Sequence, residues 1–205
     1  MSAAAPVCLA LTGASGMAYG LRLLECLLRA GRRVQLVYSQ AAQIVARQEL
    51  DLELPSRPGE ARAALLARLP GVEGDLLQVF GREEWFAPIA SGSNPPQAMV
   101  ICPCTMGTLA AIAQGLSDNL IERAADVVLK EGRKLILVPR ETPFSVLHLE
   151  NMLRLARAGA VILPPNPGFY QRPQSVAEIV DFVAARVLDQ LQVPHRLLAP
   201  WGEAR

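Results

Sequence analysis

No charge of either sign dominates this chain, and that absence removes whole classes of function. Twenty Lys and Arg against nineteen Asp and Glu leave a formal net charge of +1 over 205 residues, so no net field gathers nucleic acid or an anionic membrane. Long apolar runs are missing too. The longest uncharged stretch, 85–117, is interrupted by Pro88, Pro95, Pro96 and Pro103, and its apolar part, 98–113, is too short to cross a bilayer. Residues 1–6 carry no basic segment ahead of a long apolar stretch, so no signal peptide is expected. The cysteines Cys8, Cys26, Cys102 and Cys104 lack disulfide-like spacing. Cys102-Pro103-Cys104 has no second Cys or His pair to complete a metal set, so no metal is expected. The implied setting is cytoplasmic and reducing. Repeats, charge blocks and interdomain linkers are also absent, which points to a single domain over 1–205.

What the chain does have is apolar surface. Charged residues make up 19%, below the roughly 25% usual in soluble domains, and mean hydropathy is +0.25. A domain of this size leaves much of its area exposed as a monomer, so burial against copies of itself is expected. Buried-strand runs at 7–11, 34–38, 99–102, 135–138 and 160–163 show no polar alternation, as in strands covered on both faces. Helical patterns at 17–30, 40–48, 105–113, 119–130, 146–158 and 176–191 fill the gaps. In the first of these, Met17, Leu21, Leu24 and Leu28 share one face. The segment 50–96 fits less regularly, with a helix near 59–69, a strand near 76–80 and a loop rich in Gly, Ser and Pro. The alternation predicts an α/β fold, a three-layer, doubly wound parallel sheet of Rossmann or flavodoxin-like type. Ligands in such folds gather beyond the carboxyl ends of the strands. Here those ends are 12–16, Ser39, 103–108, 139–141 and 164–170.

Thr12-Gly13-Ala14-Ser15-Gly16 is a glycine turn ahead of a helix, suited to an anion but without the G-x-G-x-x-G dinucleotide fingerprint. Glycine there can equally serve backbone conformation alone. The second strand ends in Ser39, where an NAD site would place an acid. That favours a mononucleotide. Thr105, Met106, Gly107 and Thr108 open a later helix and can cap it, hold a phosphate, or both. Ser91-Gly92-Ser93 is a flexible loop or a phosphate cradle. Arg140 and Glu141 follow an all-apolar strand, where an active-site pair is expected. Arg123 and Lys130 are seven residues apart on one helix, hence on one face and about 10 Å apart along the axis. With Arg186 on the last helix they would hold a small dianion if they converged, each charge-assisted bond contributing ~1.5–3 kcal/mol. Glu49 ends the helix after Ser39, where a solvated carboxylate is the default. Tyr170 lies on a stiff loop, and Trp201 in a tail, 192–205, expected to dock on a neighbouring subunit. His148 and His195 have no hydrolase-triad partners.

In order and spacing, several segments resemble the flavin prenyltransferases (the UbiX/Pad family) of the homo-oligomeric flavin-containing cysteine decarboxylase superfamily. They are Thr-Gly-Ala-Ser-Gly at 12–16, Ala-Ser-Gly-Ser at 90–93 and Asn-Leu-Ile-Glu-Arg-Ala-Ala-Asp-Val at 119–127. Val-Pro-Arg-Glu-Thr-Pro at 138–143, His-Leu-Glu-Asn-Met at 148–152 and Pro-Gly-Phe-Tyr at 167–170 complete the set.

The resemblance implies FMN held by Gly13, Ala14, Ser15, Ser39, Thr105, Met106, Gly107, Thr108 and Arg140. It implies dimethylallyl monophosphate met by Ser91, Gly92, Arg123, Lys130, Arg140, Glu141, Tyr170, Arg186 and Trp201. Ser15, Glu49 and Glu141 become the candidates for moving a proton. The implied reaction joins the prenyl group to N5 and C6 of reduced FMN. Its product, prenylated FMN, would serve a UbiD-type decarboxylase, including that of ubiquinone synthesis, and the assembly would be a homododecamer. The absence of an Asp-Asp-x-x-Asp motif agrees with a monophosphate donor handled without metal. Two alternatives belong to other classes: an FMN-dependent cysteine-type decarboxylase and a non-enzymatic FMN-binding regulatory protein. The first would need a histidine after the second strand, and none lies between 40 and 147. The second would not need the Arg123, Lys130, Arg140, Glu141 and Tyr170 set.

Overall fold

The computed structural model describes residues 5–198. Six strands form one all-parallel sheet: β1 (Val7–Leu11), β2 (Val34–Tyr38), β3 (Leu77–Phe80), β4 (Ala98–Cys104), β5 (Lys134–Pro139) and β6 (Val161–Ile162), in the order β3-β2-β1-β4-β5-β6. Every residue of β1, β2 and β4 is buried, which is why these runs lack polar alternation. Helices cover both faces: α1 (Met17–Arg29), α2 (Gln40–Leu50), α3 (Pro58–Arg68), α4 (Met106–Ala113), α5 (Leu120–Lys130), α6 (Val146–Arg157) and α7 (Val176–Leu191). One core joins α1, α2, α3 and α7 to the sheet through residues such as Leu9, Leu24, Ala46, Leu65 and Leu188. The other joins α4, α5 and α6 through Ala10, Ile101, Leu109, Ala125 and Leu155. This is the three-layer, doubly wound arrangement expected from the alternation. The predicted face of α1 is buried as read, with Met17, Leu21, Leu24 and Leu28 all inside.

The differences from expectation are local. β4 runs on through Cys102-Pro103-Cys104, with a register shift against β5 between Ile101 and Cys104. All three of these residues are buried. Burial pushes the Cys104 thiol up to about 12 and the Cys102 thiol also well above its ordinary value, so both pack as neutral groups. The strand expected at 160–163 shortens to Val161–Ile162. It is a half-covered edge strand, and Pro164 and Pro165, which follow it, cannot donate to a ladder.

Through residue 198 the tail packs on its own chain. Val193 is buried and Leu197 packs on the core, because Gln192 adopts a left-handed conformation, φ 56°, that turns the chain back. Trp201 lies outside the described residues. No helix among them is long and apolar enough to cross a membrane.

Candidate functional site

Strand order reverses direction between β1 and β4, so their carboxyl ends open a crevice. A residue outside the expected set, Thr12, stitches it together. Its hydroxyl donates to Pro103 O (2.8 Å) and accepts from the Thr105 N–H (2.8 Å). The glycines beside it have reasons internal to the protein. A Cβ at Gly13 would sit 2.3 Å from Ala41 Cβ, and Gly16 has φ +108°. Those two positions therefore carry no signal of a ligand.

The start of α1, expected to be open to an anion, is filled from within. Glu49, in the last turn of α2, accepts from the Gly16 N–H (3.1 and 3.0 Å to its two oxygens) and from the Met17 N–H (2.9 Å). The length of α2 carries this carboxylate back over the turn. Burial alone would raise the Glu49 carboxyl. Hydrogen bonds from the Ser15 hydroxyl and the Met17 and Gly16 N–H groups, with the charge of Arg140, outweigh it and hold the group below its ordinary range. Glu49 is exposed, as the default reading has it, and is in addition an ionised cap in contact with Ser15.

An anion is left with α4. Thr105 caps that helix, accepting from the Thr108 N–H (3.1 Å) and donating to the Thr108 hydroxyl (2.9 Å). The Met106 and Gly107 N–H groups stand in the first turn, where no intrahelical acceptor exists. A Cβ at Gly107 would meet nothing within 4 Å, and its φ is ordinary. Of the expected glycines on the crevice, Gly107 is the one the protein's own packing does not explain. Ser39 accepts from the Ala42 N–H (3.1 Å) and caps α2. A cleft of about 300 Å³ lined by Tyr38, Gln40 and Phe80 adjoins it.

Beside the glycine turn lies a cleft of about 480 Å³, bounded by Ser15, Gly16, Tyr19, residues 139–144 and Pro164, Pro165 and Asn166. The Arg140 N–H donates to Cys104 O (3.3 Å), which ties Arg140 to the end of β4. Its Nε is buried with no hydrogen-bond partner. A buried guanidinium nitrogen left unpaired is costly unless an anion or carbonyl completes it. Glu141 turns one oxygen to the Thr142 N–H (3.1 Å). An open α4 N-terminus, the hydroxyls of Ser15 and Thr108, and an arginine whose Nε lacks a partner fit a phosphorylated mononucleotide such as FMN.

One chain does not bring all the expected cations here. Arg123 Nε donates to Ala90 O (3.0 Å) and its Nη1 pairs with Asp126 (2.8 Å). Lys130 pairs with Glu131 (2.6 Å), and both side chains stand against Gly92. Ser91 Oγ and Ser93 Oγ are 2.9 Å apart. The Arg123 and Lys130 pair does share a face, as its spacing predicts, but that face looks at loop 90–93. Lys130 ends α5 just before β5 begins, whereas Arg140 follows the far end of β5. A six-residue strand separates them by roughly 20 Å. Tyr170 rests edge-on against Phe182, ring centroids 6.0 Å apart. Arg186 lies one turn further along α7, paired with Asp189 (2.7 Å). Within one chain these residues therefore form separate clusters: Arg123 and Lys130 against loop 90–93, Arg140 at the cleft, and Tyr170 and Arg186 on the α7 side.

Tyr19 and Phe144 were not anticipated from sequence, whereas Pro164, Pro165 and Asn166 belong to the strand end expected at 164–170. Only Tyr19 carried a readable signal, being one helical turn beyond Ser15. His148 serves a capping box with Ser145 at the start of α6.

The chain matches the family model described as Flavoprotein over residues 1–188. It is 56% identical over 203 residues to flavin prenyltransferase UbiX of Pseudomonas aeruginosa, covering 99% of this chain and 97% of that one. Among solved structures it is similar to AnUbiX (PadA1) in complex with FMN and dimethylallyl pyrophosphate, with a TM-score of 0.86, 37% identity, and coverage of 98% of this chain and 100% of that one. It is also similar to a dodecameric FMN-dependent UbiX-like decarboxylase of Escherichia coli O157:H7, with a TM-score of 0.85, 39% identity, and coverage of 97% and 100%.

Proposed function

This chain belongs to the flavoprotein family, among its UbiX-type flavin prenyltransferases, and from that membership we propose that it joins the dimethylallyl group of dimethylallyl monophosphate to N5 and C6 of reduced FMN. The single observation that carries the siting of this chemistry is the Arg140 Nε, buried and unpaired at the cleft that Ser15 also lines. In this reading FMN lies along the β1 and β4 ends, against Gly13, Ala14, Ser15 and Ser39. Its phosphate meets the first turn of α4, Thr105 to Thr108, and Arg140 closes the other side. Bound reduced flavin supplies an electron-rich face for the allyl carbon.

The residues divide the remaining work. Arg140 offsets charge on the leaving phosphate from a fixed position, without reorganisation at the moment of reaction. Ser15 Oγ bonded to ionised Glu49 is one route for the C6 proton, and the departing phosphate with Glu141 is the other. Ser91, Gly92, Arg123 and Lys130 complete the phosphate site from a second copy of the chain, and Tyr170, Arg186 and Trp201 do so from a further copy surface. Within one chain Lys130 and Arg140 stand roughly a strand's length apart, and exposed Val146, Leu147, Leu149 and Leu153 on α6 supply apolar surface for assembly. The proposed assembly is a homododecamer in the cytoplasm, and prenylated FMN passes to a UbiD-type decarboxylase.

The test is anaerobic incubation of the FMN-loaded protein with reductant and either dimethylallyl monophosphate or dimethylallyl pyrophosphate, followed by the mass of the flavin. Gain of one prenyl unit from the monophosphate is expected. A flavin of unchanged mass with both donors would sink the reading. Product from the pyrophosphate alone would overturn the choice of donor.

A further inference from the structure

Arg186, which the proposed phosphate site uses, is joined in a hydrogen-bonded chain to Asp189 and His195, which that site does not use. Arg186 Nη1 lies 2.7 Å from Asp189 Oδ2, and His195 Nε2 lies 2.9 Å from Asp189 Oδ1. On the other side of the ring, His195 Nδ1 accepts the Leu197 N–H at 3.3 Å. A nitrogen that accepts cannot carry the proton, so in the neutral ring the proton sits on Nε2 and is donated to Asp189. Each oxygen of Asp189 thus has its own partner, which fixes the plane of the carboxylate.

The chain grades from inside to outside. The His195 side chain is 15% exposed and Arg186 is 53% exposed. His195 is held where it is by the reversal at Gln192, by the Val193 N–H on Leu188 O (3.0 Å) and by Leu197 against the core. The neighbouring cation Lys134 is engaged with Gln190 O (2.6 Å). An exposed arginine samples many rotamers, and a carboxylate anchored from behind narrows that set.

We propose that Asp189 and His195 are positioning residues that hold the Arg186 guanidinium ready for the phosphate of the prenyl donor. This rests on the reading that Arg186 meets that phosphate. The phosphate's charge is present before reaction as well as during it, so the effect falls on donor KM more than on kcat.

The experiment measures donor KM and kcat on FMN-loaded enzyme with dimethylallyl monophosphate, alongside the melting temperature of each variant. Asp189→Asn and His195→Ala should raise KM about 3- to 10-fold, with kcat within about 2-fold. His195→Gln, which can still donate to Asp189, should keep KM near the parent value. Arg186→Ala should raise KM, and adding Asp189→Asn to it should change nothing more, because residues acting through one group are not additive. A KM unmoved by Asp189→Asn, or an equal further rise in the Arg186→Ala background, overturns the inference while leaving the phosphate reading intact. A KM unmoved by Arg186→Ala overturns the phosphate reading and the inference with it. Should Asp189→Asn fail to fold, the comparison of His195→Ala with His195→Gln decides: equal KM values for the two overturn the proposal.

Discussion

Glu49 and Gly107 show how a residue's chemistry depends on what the fold brings near it. Glu49 holds the Gly16 and Met17 N–H groups and takes a bond from Ser15. Nothing in its own sequence neighbourhood points there, since its partners lie 33 and 32 residues away. Its folded pKa lies below the ordinary 4.5. A depressed carboxyl contributes stability that is present above that ordinary value and is lost as pH falls through the folded one. Glu49→Gln should therefore melt below the parent at neutral pH, and the gap should close as pH drops under about 4.5, followed by thermal melts across pH 3–7. A gap independent of pH would remove the carboxylate's charge from the explanation. If Ser15 and Glu49 carry the proton, the same variant keeps FMN but forms product ~10²-fold or more slowly.

The glycines invite a paired test at the same scale. Gly13→Ala drives a Cβ to 2.3 Å from Ala41 Cβ, and overpacking of this kind costs about 1–3 kcal/mol. Gly107→Ala meets nothing in the protein, and in a helix it should be neutral or stabilising by up to ~1 kcal/mol. Its methyl group would instead crowd a ligand on the first turn of α4. Melting of the FMN-free protein and flavin titration separate the two: Gly13→Ala should lose stability, while Gly107→Ala should lose FMN affinity. Equal FMN affinity in Gly107→Ala and the parent would move the phosphate away from α4.

At the level of elements, legibility in sequence followed burial. β1 and β2 were readable to the residue because both of their faces are covered and all positions but Gln35 are apolar. β6 was not, because its end is set by Pro164-Pro165 and by its place at the sheet edge, neither of which alters the apolar run 160–163. α6 is the element whose pattern points outward. Met152 and Leu155 face the core, while Val146, Leu149 and Leu153 repeat at helical spacing on the exposed side. An apolar stripe on a surface helix calls for a partner. Leu149→Asp with Leu153→Asp should leave the fold and its FMN site intact but shrink the assembly, read by light scattering after size exclusion. An assembly of unchanged mass would place the contact elsewhere.

Across the whole molecule, the sequence named candidate site residues but not that a single chain keeps Lys130 and Arg140 apart. Spacing put Arg123 and Lys130 correctly on one face of α5. It could not show that this face looks at loop 90–93, about a strand's length from Arg140. That separation depends on the direction of the α5–β5 crossover, a tertiary property. It also makes the proposed shared site testable without any view of the assembly. Arg140→Ala and Lys130→Ala should each depress prenylation strongly. If the two residues serve one site from different copies, co-assembled mixtures of the variants contain sites that take Arg140 from one and Lys130 from the other. At equal mixing, roughly a quarter of sites would then be fully furnished, and activity should recover toward that fraction. If both residues served the site of their own chain, every site in the mixture would carry one defect and no activity would return. Mixing folded homo-oligomers that do not exchange subunits provides the baseline, so recovery on co-expression alone is the expected result.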